Sequence, residues 1–234
     1  KSQFDKEMSK TPVYFMPGLA ANPLIFEKIT LDSSQFECFY LDWKEPKSEE
    51  SLNCYTKRII KEIKHENPVL IGVSFGGIIV QEIAKQIAIR KVIIISSVKD
   101  PSEFPDNFRM AKKWKLYYFF PTRFVDFFQN ITKKIVSSKK INERIKMYEK
   151  YLTVRSKNYL DWGIKNVLLW ENQNPIENIV HIHGTEDHIF PKKYIKNAIF
   201  LPKATHVLVL LQSKWLNKNL PDLILNESYE EKLD

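Results

Sequence analysis

Residues Val69-Leu70-Ile71-Gly72-Val73-Ser74-Phe75-Gly76-Gly77-Ile78 decide how this chain is read. Val69 to Val73 follows the breaker pair Asn67-Pro68 and has the length and branching of a buried strand. Gly76 to Ile89 then reads as a helix rich in Ile and Ala. Ser74 stands at the junction, inside the pattern G-x-S-x-G. A serine that must project clear of the backbone needs a sharp strand-to-helix turn. Small residues two before and two after it relieve the crowding that such a turn creates. The pattern alone arises by chance in many sequences. The apolar strand before it and the glycine-rich helix start after it make Ser74 a candidate nucleophile.

Outward from this stretch, short apolar runs alternate with helical segments. Val13 to Met16 ends in Pro17-Gly18, and Phe36 to Leu41 ends in Asp42-Trp43. Leu52 to Glu66 carries Tyr55, Ile59, Ile60 and Ile63 at amphipathic-helix spacing, with a solvated His65 expected near its end. Downstream, Val92 to Ile95, Ile179 to Ile182 and Ala198 to Leu201 read as strands, and Val207 to Asn219 as a closing helix stopped near Pro221. The strands are continuously apolar rather than alternating, which is the signature of a sheet covered on both faces. The expected class is α/β, with a mostly parallel central sheet flanked by helices.

The rhythm breaks between about Asp100 and Asn174, a stretch too long for a connecting loop and with helical periodicity of its own. It is rich in aromatics (Phe104, Phe108, Trp114, and seven more from Tyr117 to Phe128). Between Arg109 and Lys165 fifteen Lys or Arg face four acids, a surplus of +11 in a chain whose net charge is +8. The positive charge therefore belongs to this segment. We expect residues 1–99 and 175–234 to form the core and 100–174 to form a helical cap insertion.

At 234 residues and 44% hydrophobic, the chain is sized for one α/β domain with a sizeable core. Its apolar runs are far shorter than a membrane-spanning helix needs, roughly 20 residues. Lys1 to Lys10 contains no signal-peptide core, and a first residue that is not Met points to a processed or truncated end. Cys38 and Cys54 have no metal-type spacing and are expected to be reduced thiols, consistent with a cytoplasmic location.

On the Gly72 to Gly77 turn the chain resembles the α/β-hydrolase superfamily, in its small single-domain members with a cap. The resemblance runs from about residue 11 to 220, apart from the detail of the cap. Three further segments carry it. In Phe15-Met16-Pro17-Gly18-Leu19-Ala20, Pro17 replaces the family's usual His before Gly18. By analogy, the backbone N–H groups of Leu19 and Phe75 would form an oxyanion hole. His183-Gly184-Thr185-Glu186-Asp187-His188, with Pro191 following, is similar to the family's H-G-x-x-D-x-x-x-P, which makes Asp187 the triad acid. Asp100, after the Val92 to Ile95 strand, is the alternative acid, and Glu186 is one residue off the pattern. His206, 19 residues beyond Asp187 and between a strand and a helix, completes the order Ser…Asp…His as the base. His181, His183 and His188 invite a zinc reading, but no carboxylate or Cys completes a site at a recognisable spacing.

The resemblance implies a serine hydrolase that needs no metal or organic cofactor. Its substrate would be an ester or thioester with an apolar acyl part. The basic segment leaves room for an anionic partner, either an acyl carrier (a carrier protein or coenzyme A) or a membrane surface. Nucleic acid is not expected. Two alternatives stand beside a carboxylesterase. One is a thioesterase or carrier-ester hydrolase, and the other is a hydrolase-fold protein that binds a ligand without turnover. Ser74 in place of Asp speaks against a haloalkane dehalogenase.

Overall fold

β-Branched and aromatic residues fill the apolar runs, and these form strands that all point the same way. In this computed structural model, which describes residues 9–115, 146–147 and 149–226, six strands make one parallel sheet. They are β1 (Thr11–Met16), β2 (Phe36–Tyr40), β3 (Val69–Val73), β4 (Lys91–Ile95), β5 (Val180–Gly184) and β6 (Ile199–Leu201), in the order β2-β1-β3-β4-β5-β6. The alternation concealed in the continuous runs emerges in the packing. Val13, Phe15, Val69, Ile71, Ile93 and Ile95 meet one apolar layer, which includes Leu216, Leu220, Leu223 and Ile224. Tyr14, Met16, Leu70, Val92 and Ile94 meet the other, with Ile78, Ile79, Ile83 and Tyr55. Both faces are covered by apolar layers, so the central strand β3 is apolar at every position. Each such side chain stabilises the fold by roughly 1.5–3 kcal/mol.

The strand order sets the position of the site. From β1 the chain moves outward to β2, and from β3 it moves the opposite way to β4. The connections leaving β1 and β3 therefore diverge, and a crevice opens at the carboxyl ends of these two neighbours. Ser74 follows β3 directly, and Pro17 to Asn22 follows β1.

The helices are α1 (Leu52–Ile60), α2 (Phe75–Ala84), α3 (Asp106–Lys113), α4 (Lys157–Leu169), α5 (Leu208–Leu211) and α6 (Ser213–Leu225). Several are shorter than their periodicity predicts. α1 stops at Ile60 rather than Glu66, because the Lys64 N–H donates to the Tyr14 hydroxyl at 3.0 Å instead of to a helical carbonyl. His65 is only partly solvated: its side chain is 36% exposed, while its Nδ1 pairs with the same hydroxyl at 2.7 Å and its ring lies 4.8 Å from Phe39. α2 ends at Ala84 rather than Ile89, where the Gln86 N–H turns back to the Ile83 carbonyl at 2.8 Å. The closing helix is two helices, α5 and α6, and Pro221 lies inside α6 instead of ending it. Proline removes one helical donor there, but Leu220, Leu223 and Ile224 on either side of it are buried against the sheet and hold the helix on course.

Within the segment 100–174, the described residues carry α3 and α4 and no strand. Phe104 packs with Phe108, Trp170 and Phe190, whereas Trp114 is 66% exposed. The aromatics from Tyr117 to Phe128, and Lys133, Lys134 and Lys140, lie outside the described residues. Cys38 and Cys54 are unpaired. No described helix is long and apolar enough to cross a membrane.

Candidate active site

The turn after β3 is built by close approach of backbone. Ser74 adopts φ 52°, ψ −119°, a region that costs a non-glycine residue about 1–3 kcal/mol. Its N–H donates to the Ile95 carbonyl at 2.9 Å, and its own carbonyl accepts the Gly77 N–H at 2.9 Å and the Ser97 hydroxyl at 2.7 Å. A Cβ on Gly72 would lie 2.2 Å from the Gly76 carbonyl oxygen. One on Gly76 would lie 2.4 Å from the carbonyl oxygens of both Met16 and Pro17. The two glycines of the motif thus let three stretches of main chain meet beneath Ser74.

The Asp187 and His206 loops come together at the ends of β5 and β6. The Glu186 N–H donates to the Ala204 carbonyl at 2.9 Å, and the Lys203 N–H to the Thr185 hydroxyl at 2.8 Å. Asp187 is 2% exposed, and its Oδ1 accepts the N–H groups of Ile189 and Phe190 at 2.8 and 2.9 Å. Its Oδ2 lies 2.8 Å from His206 Nδ1, and His206 Nε2 lies 3.0 Å from Ser74 Oγ. A carboxylate only accepts, so the neutral His206 ring carries its proton on Nδ1 and leaves Nε2 to accept from the Ser74 hydroxyl. Burial pushes the Asp187 carboxyl up. The His206 charge and hydrogen bond outweigh it, aided by His183 and the Phe190 N–H, and hold the group below the usual carboxylate range.

Of the sequence-predicted residues, Ser74, Asp187 and His206 are therefore brought together. Asp100 and Glu186 are not: both are exposed, and the Asp100 carboxylate accepts the Ser102 N–H at 2.8 Å, two residues on. Leu19 and Phe75 flank Ser74, one after β1 and one at the first position of α2. Among the described residues, neither of their backbone N–H groups has a protein acceptor. No group of His, Cys, Asp and Glu that could hold a metal occurs among the described residues. His188 is exposed, and the other two histidines of the zinc reading are buried in a hydrogen-bonded line. His183 Nε2 donates to the Phe190 carbonyl at 2.8 Å and lies 3.5 Å from Asp187 Oδ2. Its Nδ1 is then the acceptor for His181 Nε2 at 3.2 Å. Burial lowers the pKa of both rings, most strongly for His181.

A family model for UPF0227, described as an uncharacterised protein family, matches residues 28–193. This chain belongs to that family. The match takes in Ser74 and Asp187 and stops short of His206. No curated protein matches the chain. Solved structures share its α/β-hydrolase fold at low identity. One is a bromoperoxidase from Bacillus anthracis, at 16% identity, 93% coverage of both chains and a TM-score of 0.70. Another is the esterase EaEST from Exiguobacterium antarcticum, also at 16% identity and 93% coverage of both chains, with a TM-score of 0.69. A third is an epoxide hydrolase from Bacillus megaterium, at 14% identity, covering 93% of this chain and 94% of that one, with a TM-score of 0.66.

Several residues around the site escaped the sequence reading. Phe190 lies edge-on to the His206 ring, centroids 5.5 Å apart, and touches Phe104 and Phe108. Ser97 holds the Ser74 carbonyl. Trp43 and Tyr159 reach the loop after β1 from opposite elements. Phe190 occupies only a variable position of the His183 to Pro191 pattern, the other three sit in no motif, and Ser97 and Trp43 carried no more local signal than a place shortly after a strand.

Proposed function

We propose that this UPF0227 protein is a serine hydrolase that cleaves a carboxylic ester or thioester through an acyl-enzyme on Ser74. His206 is the base and Asp187 the acid. The observation that carries this reading is the unbroken line from Asp187 Oδ2 through His206 to Ser74 Oγ, with links of 2.8 and 3.0 Å. The fold alone would not carry it, because one fold hosts many chemistries.

In this reading His206 Nε2 takes the Ser74 proton as Oγ attacks the substrate carbonyl, and the N–H groups of Leu19 and Phe75 receive the developing oxyanion. The imidazolium, steadied by the Asp187 carboxylate, passes its proton to the leaving alkoxide or thiolate. Water then enters, gives a proton to His206 and attacks the acyl-enzyme, and the carboxylic acid leaves as Ser74 recovers its proton. On the same reading, the described helices α3 and α4 of the segment 100–174 belong to a cap, and the basic surplus counted between Arg109 and Lys165 recruits an acyl group presented on an anionic carrier.

An active-site-directed fluorophosphonate should add once to the wild type and not at all to Ser74→Ala. Turnover of p-nitrophenyl esters should fall by roughly 10³-fold or more in that variant. Retained labelling and turnover would sink the assignment. A panel of chromogenic esters and acyl-coenzyme A thioesters of increasing chain length, run at low and high salt, names the substrate. A carrier-linked substrate loses kcat/KM steeply as salt rises and a neutral ester of the same acyl chain does not.

A further inference from the structure

The loop after β1 is gripped by groups that do not enter the proposed chemistry. Gly18 lies against the nucleophile, where a Cβ would stand 3.3 Å from the Ser74 Cβ. Its carbonyl accepts the indole N–H of Trp43 at 2.8 Å and the Ala21 N–H at 3.0 Å. The Gly18–Leu19 peptide is trans, so its C=O and N–H point in opposite directions. Drawing the carbonyl toward Trp43 therefore aims the Leu19 N–H the other way.

The same indole ring lies stacked on Phe75, centroids 5.2 Å apart and planes 14° from parallel. One buried side chain thus touches Phe75 and the Gly18 carbonyl, which shares a peptide plane with the Leu19 N–H. A second hold comes from α4. The Tyr159 hydroxyl accepts the Ala20 N–H at 3.1 Å, and its ring lies 5.3 Å from Trp43. Ala20 has φ 64°, a strained conformation for alanine that persists only when its surroundings enforce it. Its carbonyl is fixed as well, by the Val154 N–H at 3.1 Å.

We infer that Trp43 is a positioning residue for the oxyanion hole. Its indole N–H aims the Leu19 N–H, its ring seats Phe75, and Tyr159 ties the arrangement to α4. This rests on the acyl-transfer reading above. Catalysis by such donors depends on their direction at the moment charge develops, so a small misalignment lowers the rate without weakening ground-state binding.

Trp43→Phe keeps an aromatic ring for Phe75 and removes the N–H. On p-nitrophenyl butyrate its kcat should fall roughly tenfold, with KM held within about twofold. The inhibition constant of an aryl trifluoromethyl ketone, which adds to the serine as a tetrahedral oxyanion, should weaken by the same factor. That constant does not depend on the fraction of active molecules, so a merely structural role would leave it unmoved. Tyr159→Phe should shift both quantities in the same direction by roughly threefold, and it decides the matter if Trp43→Phe fails to fold. An unchanged kcat and inhibition constant, or a lower kcat with an unchanged inhibition constant, overturns the inference while wild-type turnover stands. A wild type that neither hydrolyses the ester nor takes a fluorophosphonate at Ser74 overturns the acyl-transfer reading, and this inference with it.

Discussion

Ser74 and His206 lie 3.0 Å apart, yet the chain fixes them by different means. At the turn after β3 the backbone does the positioning: glycines at 72 and 76 admit main-chain contacts that no side chain would allow, and Ser74 is left with φ 52°. At the corner after β5 and β6 side chains do it, through Asp187, His206 and the buried His183 behind them. That corner has one close backbone approach, Gly184 against the Ala204 carbonyl oxygen, which sets how near the two loops lie. The direction of the His206 ring still depends on Asp187. A position set by backbone sterics is robust to chemistry and fragile to volume. A position set by hydrogen bonds has the opposite sensitivities.

The largest effect should come from changing chemistry without volume at the second corner. In Asp187→Asn, Oδ1 can still accept from Ile189 and Phe190, but the group facing His206 Nδ1 becomes an NH₂ donor. The ring must then carry its proton on Nε2 and can no longer accept from Ser74. We expect kcat on p-nitrophenyl butyrate to fall by roughly 10³-fold or more, with the fold retained by circular dichroism. A loss below tenfold would mean that another carboxylate orients His206.

Changing volume without chemistry should instead break the first region. Gly76→Ala places a methyl group 2.4 Å from two carbonyl oxygens of the β1 loop, and neither can swing aside. A loss of about 3 kcal/mol in urea unfolding is expected. Gly163→Ala in α4 is the control: its Cβ would meet the Leu19 Cδ1 at 2.5 Å, the end of a flexible side chain. Relief there, together with better helix propensity, should keep the change under about 1 kcal/mol. Equal losses for the two variants would end the claim that backbone approach locks the turn.

The same contrast explains what the sequence disclosed. Steric requirements act on neighbours in the chain, so the Ser74 turn was legible as a spacing of glycines after an apolar run, and the sheet as runs of Val and Ile. The acid was harder. Asp187 and Asp100 both follow strands, and only the fold reveals that the Asp100 carboxylate turns back onto the Ser102 N–H. Helix ends were misjudged where a distant side chain takes a backbone donor, as Tyr14 does at Lys64, fifty residues along the chain. Trp43 and Tyr159 were invisible for the same reason: their partners at Gly18 and Ala20 are remote in sequence.

The smallest expected effect concerns acid stability, and it separates the two regions again. The stretch from Gly72 to Ile78 contains no titratable group, so the cost of Gly76→Ala should be the same at pH 7.5 and pH 5.5. The second corner holds His181 and His183, whose folded pKa values are lowered by burial, in His183 against the opposing pull of Asp187. In the unfolded chain each titrates near an ordinary value of about 6.5. Below that pH the unfolded state takes up protons that the folded state refuses, so stability falls as pH falls from about 6.5. Asp187 acts in a lower window. Its folded pKa is depressed, and its contribution is lost only as pH drops below the ordinary carboxylate value. His181→Leu should therefore remove part of the first loss and none of the second. Between pH 7.5 and 5.5 the drop in unfolding free energy should shrink by roughly 1 kcal/mol relative to wild type, the order expected for one histidine kept neutral. Urea midpoints at the two pH values measure it directly. An unaltered drop would mean that His181 takes a proton in the folded protein, and that the line of rings behind Asp187 carries charge rather than neutral hydrogen bonds.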